Sequence, residues 1–219
     1  MDDNLITTKN TTGNRMAADE RRSQILRVAV QLFSQHGFRG TTTREIAQAA
    51  GVSEAMVFRH FATKHELYAA IIDYKSCGGQ VLEPLERIAE FVRAKDDYAV
   101  FYNLALGAFS HHEEDPDFIR LFLYSALEGH ELAEMFFERF VFHIYEFLGS
   151  YIQERQRDGA FRELEPRVVV RAFVGMMIHH SLNNSLWDKE RRLLNISNEK
   201  AAHEFTQILL NGIKIKNEK

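Results

Sequence analysis

Apolar side chains recur every three to four residues along this chain, and the elements they predict are helices. Ile25, Val28, Ala29, Leu32 and Phe33 lie at helical spacing, with Arg21, Arg22, Arg27 and Gln31 between them. Asp19 is placed as an N-cap and Gly37 as a stop in the left-handed conformation. Together they predict one amphipathic helix of about four to five turns. Thr42, Thr43, Arg44 and Glu45 then read as a capping box, opening a short helix whose stripe is Ile46, Ala47 and Ala50. Gly51 ends it, because a sharp turn there needs positive φ. Ser53 can cap a third short helix through Met56, Val57 and Phe58, ahead of Phe61. Thr63 and Glu66 repeat the box and open a helix through Leu67, Ile71 and Ile72.

Further helices are predicted near 80–93, 97–111, 117–127, 129–157, 165–187 and 198–216. Asp115-Pro116, Asp158-Gly159 and Glu165-Pro166 mark breaks or starts. No alternating run of β-branched residues is bounded by turn residues, so no strand is predicted. The expected class is all-α, in three segments. Residues 1–17 are polar and Thr/Asn-rich, with little to bury, and read as a flexible arm. Residues 18–66 form an N-terminal three-helix domain, and 67–219 a larger helical domain.

Composition narrows the class of function. The 219 residues are 45% hydrophobic and 26% charged, which is globular rather than disordered. A net charge of −4 argues against a wholly basic nucleic-acid coat protein, but the charge is unevenly spread. Residues 1–75 carry 10 Lys+Arg against 8 Asp+Glu, and residues 76–219 carry 17 against 23. The N-terminal part is therefore mildly basic. Cys77 is the single cysteine, so an intramolecular disulfide is impossible and a reducing compartment is expected. Met1 to Asn14 has no apolar stretch of signal-peptide length. The run near Val168 to Ile178 is interrupted by Arg171 and too short for a bilayer of roughly 30 Å. A cytoplasmic protein with no membrane partner is expected.

The short helices carry the chemistry. Residues 42–61 read TTREIAQAAGVSEAMVFRHF: two short helices flank a tight turn at Gly51, Val52 and Ser53, behind a long amphipathic helix. A helix-turn-helix needs this arrangement, in which one helix braces and the next presents its face to the DNA major groove. Ala47, Val52 and Val57 are small or branched enough to be buried in such a pair. Thr42 and Ser53 leave helix N-termini open to phosphate oxygens, and Lys64 adds a cation at the backbone.

From about Glu20 to Leu67 the chain resembles the TetR family of transcriptional regulators. The stretch LFSQHGFRGTTTREIAQAAGVSEAMVFRHFATKHEL carries the resemblance, without a gap. The resemblance implies an N-terminal helix-turn-helix DNA-binding domain and a C-terminal ligand-binding and dimerisation domain. It places Thr43 and Arg44 at the DNA backbone and groove edge. It places Glu54, Ala55 and Met56 at the start of the recognition helix, facing bases. Phe58, Arg59 and His60 fall where base and phosphate contacts are common, and Lys64 at a phosphate. Two positions depart from the family pattern. Phe58 lacks the hydroxyl of the frequent tyrosine, and Glu54 stands where lysine or glutamine is common. Glu54 can accept from cytosine N4, or can merely favour its helix N-terminus while repelling phosphates. Arg59 is the foremost candidate for bidentate bonding to guanine, set against a plain phosphate contact or a solvated arginine.

The C-terminal part is rich in aromatics at helical spacing, most of which belong to a core. The resemblance places an effector pocket inside this domain. Its lining is expected at Tyr102, Phe122, Phe140, Met176, Met177 and His180, and the aromatic content suggests an apolar or aromatic ligand. The last two helices resemble those that pair across a twofold axis as a four-helix bundle. A stripe of Val169, Phe173, Met176, Met177 and His180 is expected to meet a second copy, with Val168 and Ala172 facing the subunit's own body.

The implied function is a ligand-responsive regulator, a repressor holding a palindromic operator in double-stranded DNA as a homodimer until an inducer releases it. An activator or corepressor-dependent regulator is the alternative, as is a helical ligand-binding module with a vestigial helix-turn-helix. No phosphate-cradling loop or catalytic motif is found, so neither an enzyme nor a cofactor is expected. His111-His112 and His179-His180 are adjacent pairs, and successive helical side chains point about 100° apart, so neither pair reads as a chelate. Cys77 has only mild activation from Lys75 and reads as a plain thiol.

Overall fold

The computed structural model describes residues 9–75 and 83–215. Cys77 and residues 1–8 of the expected arm lie outside the described residues. Among the described residues eleven α-helices follow in order: α1 Lys9–His36, α2 Thr43–Ala49, α3 Glu54–His60, α4 Lys64–Lys75, α5 Glu83–Arg93, α6 Asp97–Glu114, α7 Pro116–Leu127, α8 Glu131–Phe136, α9 Phe142–Arg157, α10 Pro166–Leu182 and α11 Asn198–Ile213. π-helical turns at Phe137–Val141 and Asn183–Trp187 join α8 to α9 and extend α10. Among the described residues the one β pairing is an isolated bridge between Phe161 and Lys214.

The chain forms two compact units. One holds residues 1–79 with 120–134, the other 80–119 with 135–219. The first unit therefore takes in a distant segment, most of α7 and the start of α8, which the linear division at residue 66 leaves out. Asp19 is no N-cap: α1 already begins at Lys9. No proline lies between the two positions, Gly13 weakens the helix by only about 1 kcal/mol, and prolonging a formed helix adds a hydrogen bond per residue without a new nucleus.

In the first unit, Ile25, Leu26, Ala29, Val30 and Phe33 form the buried stripe of α1. They pack with Ile46 and Ala47 of α2, Val57 of α3, Phe61, and Leu67, Ile71 and Ile72 of α4 as the buried core. In the second unit α6 is the central helix of a core that includes Val100, Phe101, Ala105 and Phe109 with Phe173 and Met177 of α10 and Ala202 and Leu209 of α11. Side-chain caps set the starts: Asp96 accepts from the Ala99 N–H, Glu165 from the Arg167 N–H ahead of Pro166, and Ser197 from the Lys200 N–H. Asp97 is buried but fully engaged. Its carboxylate accepts from Tyr151 at 2.7 Å and from Arg155 at 2.8 and 3.2 Å, which ties the start of α6 to α9.

The stripe expected to meet a second copy faces inward instead. Val169, Phe173, Met177 and His180 are buried in the subunit's own unit, Phe173 completely, and Met176 is half-buried. Val168, 63% exposed, Ala172, Gly175 and His179 form the outward face of α10, and Ile208, 58% exposed, lies outward on α11. The periodicity is right and its direction reversed. The most apolar stripe is claimed by the core, where each side chain loses the most water-exposed area. The expected pocket residues also separate. Tyr102, Met176 and Met177 join the core of the second unit, and His180 lies against Phe109 with ring centroids 4.8 Å apart. Phe140 instead stacks on Phe136, and Phe122 falls in the first unit.

Candidate nucleic-acid interface

The helix-turn-helix is built from local hydrogen bonds that its sequence spells out. Thr42 caps α2 through the Glu45 N–H, and Glu45 accepts from the Thr42 N–H at 2.7 Å, a complete capping box. That bonding holds the Glu45 carboxyl below the usual carboxylate range. The end of α2 closes by two bonds, Gly51 N–H to the Gln48 carbonyl and Val52 N–H to the Ala47 carbonyl. Gly51 has φ +64, which an L side chain resists. Ser53 then caps α3 by accepting from the Met56 N–H. At α4 the expected box is altered: Thr63 accepts from the Glu66 N–H, while the Glu66 carboxylate reaches past Thr63 to the N–H of Ala62.

α1 braces this pair. The Gln24 amide donates to the Ala50 carbonyl at 3.1 Å, satisfying the end of α2, and the Arg22 guanidinium lies 4.9 Å over the Phe61 ring. Val57 is 1% exposed and Phe61 2%, so α3 has a fixed inner side. The opposite side is open: Glu54, Ala55, Phe58 and Arg59 are exposed, Phe58 by 44%. Thr42, Arg44, Ser53 and Lys64 are exposed as well, while Thr43, Met56 and His60 are half-buried. Burial, together with Arg59, Arg22 and Arg21, pushes the His60 imidazole below its usual range.

One bond crosses between the two short helices. Thr43 Oγ donates to Glu54 Oε1 at 2.5 Å. Glu54 is therefore held by a side chain of α2, an arrangement that the spacing of the two residues does not disclose.

A second feature escapes sequence reading. The Glu128 carboxylate accepts from the N–H groups of Phe38 at 3.0 Å and Arg39 at 2.9 Å, and the Arg39 guanidinium donates back to the Glu128 carbonyl at 3.1 Å. His130 stacks on Phe38 at 4.0 Å and meets the Tyr68 ring edge-on at 4.4 Å. Its Nδ1 accepts from the Leu132 N–H, and burial keeps the imidazole below its usual pKa. The segment around Glu128 thus clamps the loop that joins α1 to α2. Its partner lies about 90 residues away, beyond the reach of any local pattern.

The adjacent histidines diverge. His112 is buried and bonded to Ser181 at 2.9 Å, while His111 lies edge-on to Phe118. Among the described residues no helix is long and apolar enough to cross a membrane.

Residues 25–71 match the model of the family described as bacterial regulatory proteins, tetR family. The chain is 43% identical over 63 residues to the HTH-type transcriptional activator FasR of Mycolicibacterium smegmatis, a match covering 29% of this chain and 29% of FasR. It therefore matches less than a third of that relative's length. The fold of the ketosteroid transcriptional regulator KstR2 of Mycobacterium tuberculosis is shared over 90% of this chain and 96% of that one, with a TM-score of 0.65 at 20% identity. AibR, solved in complex with isovaleryl coenzyme A and operator DNA, shares the fold with a TM-score of 0.61 at 22% identity, over 87% of this chain and 98% of that one. The family and these relatives are regulators of transcription rather than enzymes. The helix-turn-helix within residues 25–71 is thus similar to that of the tetR family of bacterial regulatory proteins, and the chain as a whole has the all-helical fold of KstR2.

Proposed function

We propose that this chain is a ligand-responsive, DNA-binding regulator of transcription. The observation that carries the reading is the α2–α3 pair, closed on its inner side by Val57 and Phe61 and open on its outer side at Glu54, Ala55, Phe58 and Arg59. A helix presented in this way fits a major groove. Arg59 offers a bidentate donor to guanine, Phe58 an apolar surface to a thymine methyl, and Lys64 a cation to phosphate. Arg44 and Thr42 flank the groove edge.

Two copies bind together. A twofold pair places recognition helices about 34–36 Å apart on successive major grooves, which selects a palindrome. The outward apolar residues Val168 and Ile208 support a pairing face on α10 and α11. The effector enters the second unit, where polar groups stand among aromatics. His112 and Ser181 bond to each other, His180 approaches Asn184, and the buried Thr206 hydroxyl has no hydrogen-bond partner among the described residues. These groups suit a mainly apolar or aromatic molecule with a hydrogen-bonding group. The ligand lowers operator affinity by as much as it prefers the unbound form. The sign of regulation we infer is repression, in which the bound dimer excludes the polymerase from the operator.

The test is a gel shift on the DNA upstream of the chain's own gene at two salt concentrations, followed by transcription in vitro from that DNA. A sequence-selective shift with falling transcription supports the reading. A shift with rising transcription reverses the sign of regulation, and sequence-blind or absent binding removes the regulator.

A further inference from the structure

The Thr43–Glu54 contact assigns a base to this reading face. This inference rests on the DNA-binding function proposed above. We propose that Glu54 selects cytosine at one position of each operator half-site, and that Thr43 is the residue that positions it.

A carboxylate at the front of a recognition helix approaches a polyanion and, left free, would swing away from the phosphates. Here it is not free. Thr43 Oγ–H spends its single proton on Glu54 Oε1 at 2.5 Å, so one carboxylate oxygen is fixed by α2. The other oxygen accepts no hydrogen bond from a described residue and stands on the exposed side of α3 with Ala55, Phe58 and Arg59.

The chemistry of that oxygen restricts its partner, because an ionised carboxylate only accepts. In the major groove, guanine and thymine present acceptors, and adenine places its N6 donor beside the N7 acceptor. Cytosine presents the N4 donor with no acceptor of its own on the major-groove edge. A fixed carboxylate therefore favours cytosine, is disfavoured at adenine by the N7 acceptor beside N6, and is repelled by guanine and thymine. The same bond removes Thr43 from phosphate contact as a donor and makes its contribution indirect.

The experiment selects operators from a randomised library with the purified full chain as wild type, Glu54→Gln and Thr43→Val. Wild type enriches cytosine at one position per half-site. Glu54→Gln enriches adenine there, since an amide offers the donor and acceptor that adenine pairs with, and leaves the other positions unchanged. Thr43→Val retains cytosine, but the preference falls by about fivefold to tenfold as the carboxylate loses its support. Thr43→Ser restores it. A helical melting curve matching wild type shows that each variant is folded. Identical selected sequences for wild type and Glu54→Gln overturn the assignment, and an unchanged preference in Thr43→Val overturns the positioning role. If wild type enriches no sequence at all, the regulator reading fails and this inference with it.

Discussion

Glu128 and Phe38 lie about 90 residues apart in the chain and are joined by a hydrogen bond of 3.0 Å, from the Phe38 N–H to the Glu128 carboxylate. The same oxygen takes the Arg39 N–H, so a loop end that would otherwise need water is satisfied by a carboxylate from the segment after α7. Gly37 sits directly beneath it. It has φ +73, and an added Cβ would collide with that carboxylate. Gly37→Ala therefore meets both backbone strain and a displaced Glu128. The expected loss is about 2–3 kcal/mol of stability, by urea unfolding. Gly51→Ala, at φ +64 with open space around it, is the comparison, and costs about 1–2 kcal/mol. Equal losses at the two glycines would remove the Glu128 contact from the explanation.

Arg59 and Lys64 separate base reading from phosphate attraction. Arg59→Ala is expected to weaken operator binding by about 1–3 kcal/mol and relax selection at one base pair. Lys64→Ala lowers affinity alike for all sequences and reduces the slope of log K against log salt by about 1. Fluorescence anisotropy on matched and mismatched operators across a salt series measures both. A uniform loss for Arg59→Ala would reassign that residue to the phosphates.

The outward face of α10 and α11 makes a distinction that the inward stripe cannot. Val168→Asp or Ile208→Asp should give a folded monomer with weakened operator binding. Phe173→Asp places a charge where the side chain is 0% exposed, and should unfold the protein instead. Sedimentation with circular dichroism separates these outcomes. A dimer that survives both outer substitutions would move the pairing face elsewhere.

How far the sequence carried the account depends on the range of each interaction. The capping residues Thr42 and Ser53, and the stop at Gly51, act within one turn, so the helix-turn-helix was legible residue by residue. The contact between Thr43 and Glu54 was not, because two short helices can cross with many side-chain pairings. Periodicity found the apolar stripe of α10 at Val169 and Phe173 but could not say whether a core or a second copy covers it. Glu128 was invisible for the same reason: its partners at Phe38 and Arg39 are supplied by the fold.

Buried His112 gives the fold a pH dependence with a defined sign. Burial, reinforced by His111, pushes its pKa down from 6.5 to about 4 in the folded state. Between those values the unfolded chain binds a proton that the folded one does not. Stability is therefore full above about pH 6.5 and falls as pH drops toward 4, by up to about 3 kcal/mol. Urea unfolding at pH 8 and pH 5 should show the loss, and His112→Gln should flatten it. An unchanged slope in that variant would assign the pH dependence to other groups.

The central claim is that the exposed face of α3 reads a defined sequence in double-stranded DNA. Its most direct measurement is the affinity of the full chain for DNA upstream of its own gene, against scrambled DNA of the same length, at two salt concentrations. The account predicts tight binding of a dimer to the upstream DNA, weakening as salt rises, and at least about tenfold weaker binding to the scrambled sequence. Equal affinity for the two DNAs, or no binding to either, would contradict it.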